Sequence, residues 1–148
     1  MESNAYLFGQ LLQLSDNLHE LYCKDVRKGH LPSQLMGSSL YNAAAEFPSK
    51  TFVQFSQRIR PYVSWAKTHR NERITYGRDG QEHKGPSAGM LLWMIGEVTA
   101  QINIVTMPDR FSDTEKAELF IGYMAAFSKK GKTENDTAFA EENEEVKV

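Results

Sequence analysis

SNAYLFGQLLQLSDNLHELYCKDVRKG, residues 3–29, is the stretch that decides the fold. Leu7, Leu11, Leu14, Leu18 and Leu21 recur in it at spacings of four, three, four and three. That period places one apolar stripe on a helix from about Ser3 to Lys28, with Gly29 as its stop.

The same period returns along the chain, and no segment shows sustained alternation of apolar and polar residues. Pro32 suits a helix start, and a short second helix can run to about Glu46. Pro48 suits another. Phe52, Phe55, Ile59, Tyr62 and Ala66 stripe a third helix from about Ser49 to His69, which Pro61 should kink or break. Residues 71–89 hold Gly77, Gly80, Gly85, Pro86 and Gly89 and read as a loop. Leu91, Ile95, Val98, Ile102 and Val105 stripe a fourth helix from about Pro86 to Val105. Ser112-Asp113-Thr114-Glu115 is a capping box, with Phe111 before it as a staple. It opens a fifth helix that reaches about Lys130 and stops at Gly131. Stripes of this kind can be buried only against one another, so the expected fold is all-α: a compact bundle of about five helices over residues 1–131. Residues 132–148 are acidic and poor in large apolar groups, and read as a disordered tail.

Charge is unevenly distributed. The 148-residue chain has a net charge of −2, but residues 50–84 carry eight basic residues against three acidic ones, a net of +5. Residues 132–148 carry two against six, a net of −4. A local basic stripe is the electrostatic footprint of a polyanion partner. Arg60 and Lys67 lie two turns apart on one face, and Gln57 and Ser64 share it and can donate to phosphate oxygens. Arg58 precedes them; Arg70, Arg73, Arg78 and Lys84 follow in and beside the glycine-rich loop, where Tyr76 could stack on a base or sugar. No acidic residue interrupts the run from Arg58 to Arg70, which argues against a self-neutralising face. Lys24, Arg27 and Lys28 form a second, weaker patch.

Other chemistry is sparse. There is no phosphate-binding glycine loop, no nucleophile elbow and no paired zinc-ligand motif, so neither enzyme nor cofactor is expected. His19 and Cys23 are four residues apart and could face one metal ion, but no second half of such a site is visible. Glu97, inside an apolar run, is expected to face solvent or, as the favoured reading, to pair with an arginine of a neighbouring helix. Gly96 beside it is expected to admit another helix closely. A single cysteine excludes an internal disulfide. No charged segment precedes an apolar one at the N-terminus, and the longest apolar run, Met90 to Ile95, is too short to span a bilayer. The expectation is a soluble cytoplasmic chain with no membrane partner.

The framework also resembles a known family. Ala5-Tyr6-Leu7-Phe8-Gly9-Gln10-Leu11-Leu12 is similar to the start of the C-terminal helical region of the type I-C CRISPR Cascade large subunit, a region also made separately as the Cascade small subunit. Gly37 followed after nine residues by Phe47-Pro48 resembles that family's spacing, as do Phe55-Ser56-Gln57, Ile95-Gly96-Glu97-Val98, and Phe111-Ser112 with Ile121-Gly122-Tyr123. The likeness covers about residues 4–128 in order. Ala43 and Glu46 stand where the family often has proline and valine, and Pro61, the basic loop at 70–84 and the acidic tail lie outside its pattern. The resemblance implies a non-catalytic subunit of an RNA-guided complex. Its partners would be the Cascade backbone and large subunits, other copies of itself, the guide RNA, and the target and non-target DNA strands, with no small-molecule substrate. Base pairing, not protein, reads sequence in such a complex. The competing expectation is a helical adaptor that meets protein only, with Trp65, Tyr62 and Met90 as candidate anchors. The acidic tail reads as a solubility tail or, second, as an arm competing with DNA for the stripe.

Overall fold

In the computed structural model, which describes residues 2–78 and 81–136, six α-helices and one β-hairpin follow one another. They are α1 (Asn4–Val26), α2 (Met36–Glu46), α3 (Pro48–Arg58), α4 (Arg60–Lys67), β1 (Arg73–Arg78), β2 (Gln81–Ser87), α5 (Ala88–Gln101) and α6 (Asp113–Asp136). A single 3-10 turn, Ile104–Thr106, precedes α6. The class is all-α, with helices packed around one core.

α1 is the axis of that core. Every residue from Leu7 to His19 is buried, so the leucine stripe is only one of several faces in use. α2, α4, α5 and α6 all pack on it, α6 most extensively. The reason lies in two glycines. A methyl group at Gly9 would overlap the Leu119 carbonyl of α6, and one at Gly122 would overlap the Tyr6 carbonyl of α1. The two backbones therefore touch, each through the other's glycine. Gly37 does the same for α2 against the Leu12 carbonyl. Around this axis Phe8, fully buried, meets Phe52 and Phe55 edge-on at 5.3 and 5.9 Å, the offset geometry that aromatic quadrupoles favour.

Helix ends follow local chemistry. Ser3 caps α1 by accepting from the Tyr6 amide, and Ser87 caps α5 by accepting from Met90. The capping box forms as read: Ser112 Oγ accepts from the Glu115 amide at 3.1 Å, and Glu115 Oε1 accepts from the Ser112 amide at 2.8 Å. Pro61 breaks the expected third helix into α3 and α4 at Ile59, because it has no amide to donate within the first turn.

Other expectations change. α2 starts at Met36, not Pro32. α5 stops at Gln101, so Val105 leaves the stripe and is 92% exposed. The Asn4 side chain accounts for the stop: its Oδ1 accepts from the Asn103 amide at 2.9 Å and its Nδ2 donates to the Asn103 carbonyl at 3.0 Å, holding that strand of backbone extended. The segment read as a loop contains the antiparallel hairpin β1–β2, in register from Arg73↔Ser87 to Arg78↔Gln81 with an irregularity between Arg73 and Thr75. Its polar, glycine-bearing strands offered no alternation to read. It is anchored at its base, where Ala88 N–H donates to the Glu72 carbonyl and Gly89 N–H to that of Arg70. α6 continues through Gly131 to Asp136, and residues 137–148 of the acidic segment lie outside the described residues. No helix among the described residues is long and apolar enough to cross a membrane.

Gly96 departs from expectation in the opposite sense. A methyl group there would meet nothing within 4 Å. Two alanine substitutions should therefore differ in sign. Gly9→Ala should destabilise by about 1–3 kcal/mol through overpacking. Gly96→Ala should stabilise by about 0.5–1 kcal/mol through helix propensity. Thermal or urea unfolding of the two variants beside the parent checks both.

Candidate nucleic-acid interface

The basic residues sit mostly at the ends of elements, where the chain changes direction. Arg58 ends α3, Arg60 and Lys67 begin and end α4, Arg70 lies in the turn after it, and Arg73 opens β1. Lys84 is in β2. Lys24 is in the last turn of α1, Arg27 is its C-cap, and Lys28 follows with φ 52°. All nine are exposed. None of the nine is in a salt bridge among the described residues, where the ion pairs are His69–Asp25 and Lys116–Glu46. Arg78 closes β1, and its side chain, like that of Tyr76, lies outside the described residues.

The two patches that sequence separates are brought together. His19 and Tyr62 stack with ring centroids 4.5 Å apart. Both rings feel Arg27 from the end of α1 and Arg58 from the end of α3. Lys24 Nζ donates to the Arg73 carbonyl at 2.9 Å, which ties α1 to the root of the hairpin. Lys24, Arg27, Arg58 and Arg73 thus gather where α1 leaves the bundle. Carboxylates reach this region too: Asp16 acts on His19 and Glu20 on Cys23, while Asp25 is already engaged, accepting from Trp65 Nε1 at 2.9 Å and lying 3.8 Å from His69 Nε2. Arg60, Ser64 and Lys67 are exposed on the outer face of α4, while Trp65 and Ala66 face inward. Gln57 is exposed too and belongs to α3, on the other side of the break at Ile59.

His19 has a structural task. Its Nδ1 accepts from the Met36 amide at 2.9 Å. Asp16 accepts from the Ser38 amide at 2.9 Å, from the Ser38 hydroxyl, and from Tyr123 Oη at 2.8 Å. The N-terminus of α2 has no side-chain cap of its own, so these two α1 residues cap it from outside. Burial, with Asp16 beside it, pushes the Tyr123 hydroxyl up to about 12. Burial lowers the His19 pKa foremost; Asp16 opposes the shift, and Arg27 and Arg58 reinforce it. Cys23 is a core residue, and burial raises its pKa. Among the described residues no group of three or more His, Cys, Asp or Glu side chains could hold a metal ion.

Glu97 is exposed and, among the described residues, in no ion pair, so solvent takes the place of the favoured arginine partner. Of the candidate anchors, Trp65 is buried and Tyr62 half-buried, and Met90 is exposed. Sequence reasoning passed over Trp93, which is 63% exposed. Its offset of two residues from Leu91 on a helical wheel puts it opposite the α5 stripe, a signal present in the sequence.

Comparison with protein-family models, with curated proteins and with solved structures finds no match to this chain.

The buried imidazole makes the fold acid-sensitive. With a folded pKa below its ordinary 6.5, His19 takes up a proton more readily in the unfolded chain. Its contribution is full above about pH 6.5 and declines as pH falls through that value towards the lower folded one. Unfolding free energy measured from pH 7 to 5 should fall, and the slope should flatten in His19→Gln, whose amide oxygen can still accept from Met36.

Proposed function

We propose that the chain is a non-catalytic helical subunit that holds nucleic acid by its sugar-phosphate backbone without reading sequence. The observation that supports it most is the convergence of Lys24, Arg27, Arg58 and Arg73 from three separate elements on one region. All four are exposed, and none is in a salt bridge among the described residues. Like charges carried on neighbouring elements without carboxylate partners raise the local potential and attract polyanions. The likeness to the type I-C Cascade small subunit gives this face a context. There it would steady the guide–target duplex and the displaced DNA strand, while base pairing selects the target.

A second reading has its own support. On α6, Phe120, Ile121 and Met124 are exposed together on the outer side, away from Leu119 and Gly122, which face α1. Such a face suits a protein neighbour. The two readings are compatible, since a subunit of an assembly must bind both its neighbours and its polyanion.

Salt and charge reversal test the first reading. The logarithm of the DNA-binding constant should fall with log salt by roughly 0.7–0.9 per phosphate neutralised. Arg27→Glu with Arg58→Glu should weaken binding at least about tenfold and reduce that slope by about two, with an unchanged melting temperature. A mobility shift on single-stranded and duplex DNA, repeated in the assembled complex, measures this. Unchanged binding in the double variant rejects the assignment of this face.

A further inference from the structure

Next to the basic region a shallow concavity of about 470 Å³ opens between the start of α5 and the turn after α4. Arg70, Asn71, Ser87, Gly89, Met90 and Trp93 line it. Its parts are rigidly placed. Gly89 N–H donates to the Arg70 carbonyl at 3.0 Å, and a methyl group at Gly89 would lie 3.3 Å from Arg70 Cβ, so the two segments are closely packed there. Ser87 is the register partner of Arg73, and Arg73 is tied to Lys24, so the concavity is continuous with the cationic region. The lining sets two exposed apolar side chains, Trp93 and Met90, beside an arginine in no salt bridge among the described residues.

We propose that this concavity seats an unpaired nucleotide of a DNA single strand, its base stacked on Trp93 and its phosphate held by Arg70. Met90, half exposed, supplies an apolar wall, and the Asn71 amide can both donate to and accept from a base edge. Stacking on an aromatic ring tolerates any base, because every base has a π-face. Duplex DNA cannot use the site, since both faces of each base are covered by its neighbours. The inference rests on the reading that the basic face meets nucleic acid, and adds a seat for an unpaired base, which the displaced DNA strand would supply.

The full chain with oligothymidylate at low salt tests it. Trp93 is exposed and Trp65 buried, so quenching of tryptophan emission reports on Trp93. Oligothymidylate should quench it and a duplex of equal charge should not. In Trp93→Ala the ratio of single-strand to duplex affinity should fall roughly tenfold, and Trp93→Phe should restore most of it. The exposed position makes unfolding of either variant unexpected, and circular dichroism checks that. An unchanged ratio in Trp93→Ala, or equal quenching by duplex, overturns the site while leaving salt-dependent phosphate binding in place. Binding of oligouridylate without oligothymidylate overturns the DNA assignment. No binding of either form at low salt overturns this inference and the proposed function together.

Discussion

The contact between α1 and α6, backbone against backbone through Gly9 and Gly122, is the constraint from which the rest of the molecule follows. Helices separated by ordinary side chains stand about 8–10 Å apart. Here each carbonyl occupies the space that a methyl group would need, so the axes come closer and the pair has one register only. With α6 this near on one side and α2 drawn in over Gly37 on another, little of α1 faces water until its last turns. The helix that reads as amphipathic is used on all sides.

Surrounding a helix in this way obliges its polar residues to find partners inside, because an unpaired buried polar group is costly. Asp16 and His19 meet that demand by capping the foreign helix α2, and Tyr123 joins the network from α6. One cluster thereby fastens three helices. The same His19 stacks on Tyr62 of α4 and lies under the influence of Arg27 and Arg58. The rigid interior and the charged exterior are therefore coupled at one residue. The backbone that carries the cations is held in place by the buried, hydrogen-bonded joints beneath it.

Much of the fold was legible. The leucine spacing of α1, the proline that separates α3 from α4, and the box at Ser112 and Glu115 each act within one or two turns of chain, where spacing and chemistry suffice. The exposure of Arg58, Arg60, Lys67 and Arg70 was legible for the same reason. Three features were not. The hairpin carries no alternating pattern because its hold on the bundle is at its base, through the Glu72 and Arg70 carbonyls. The stop of α5 depends on Asn4, ninety-nine residues away from Asn103 in the chain. Gly96 and Gly9 look alike in sequence, yet only Gly9 has a neighbour that needs the room.

By itself, then, the sequence determined which stretches are helical, where most of them begin and break, and that positive charge is concentrated between residues 50 and 84. These are properties of one element at a time, set by periodicity, caps and composition. Tertiary structure alone decided that Lys24 and Arg27 join Arg58 and Arg73, that α1 is enclosed, and that Trp93 stands in the open beside Arg70. Such meetings depend on the distance and register between elements, and those are set by which backbones can touch.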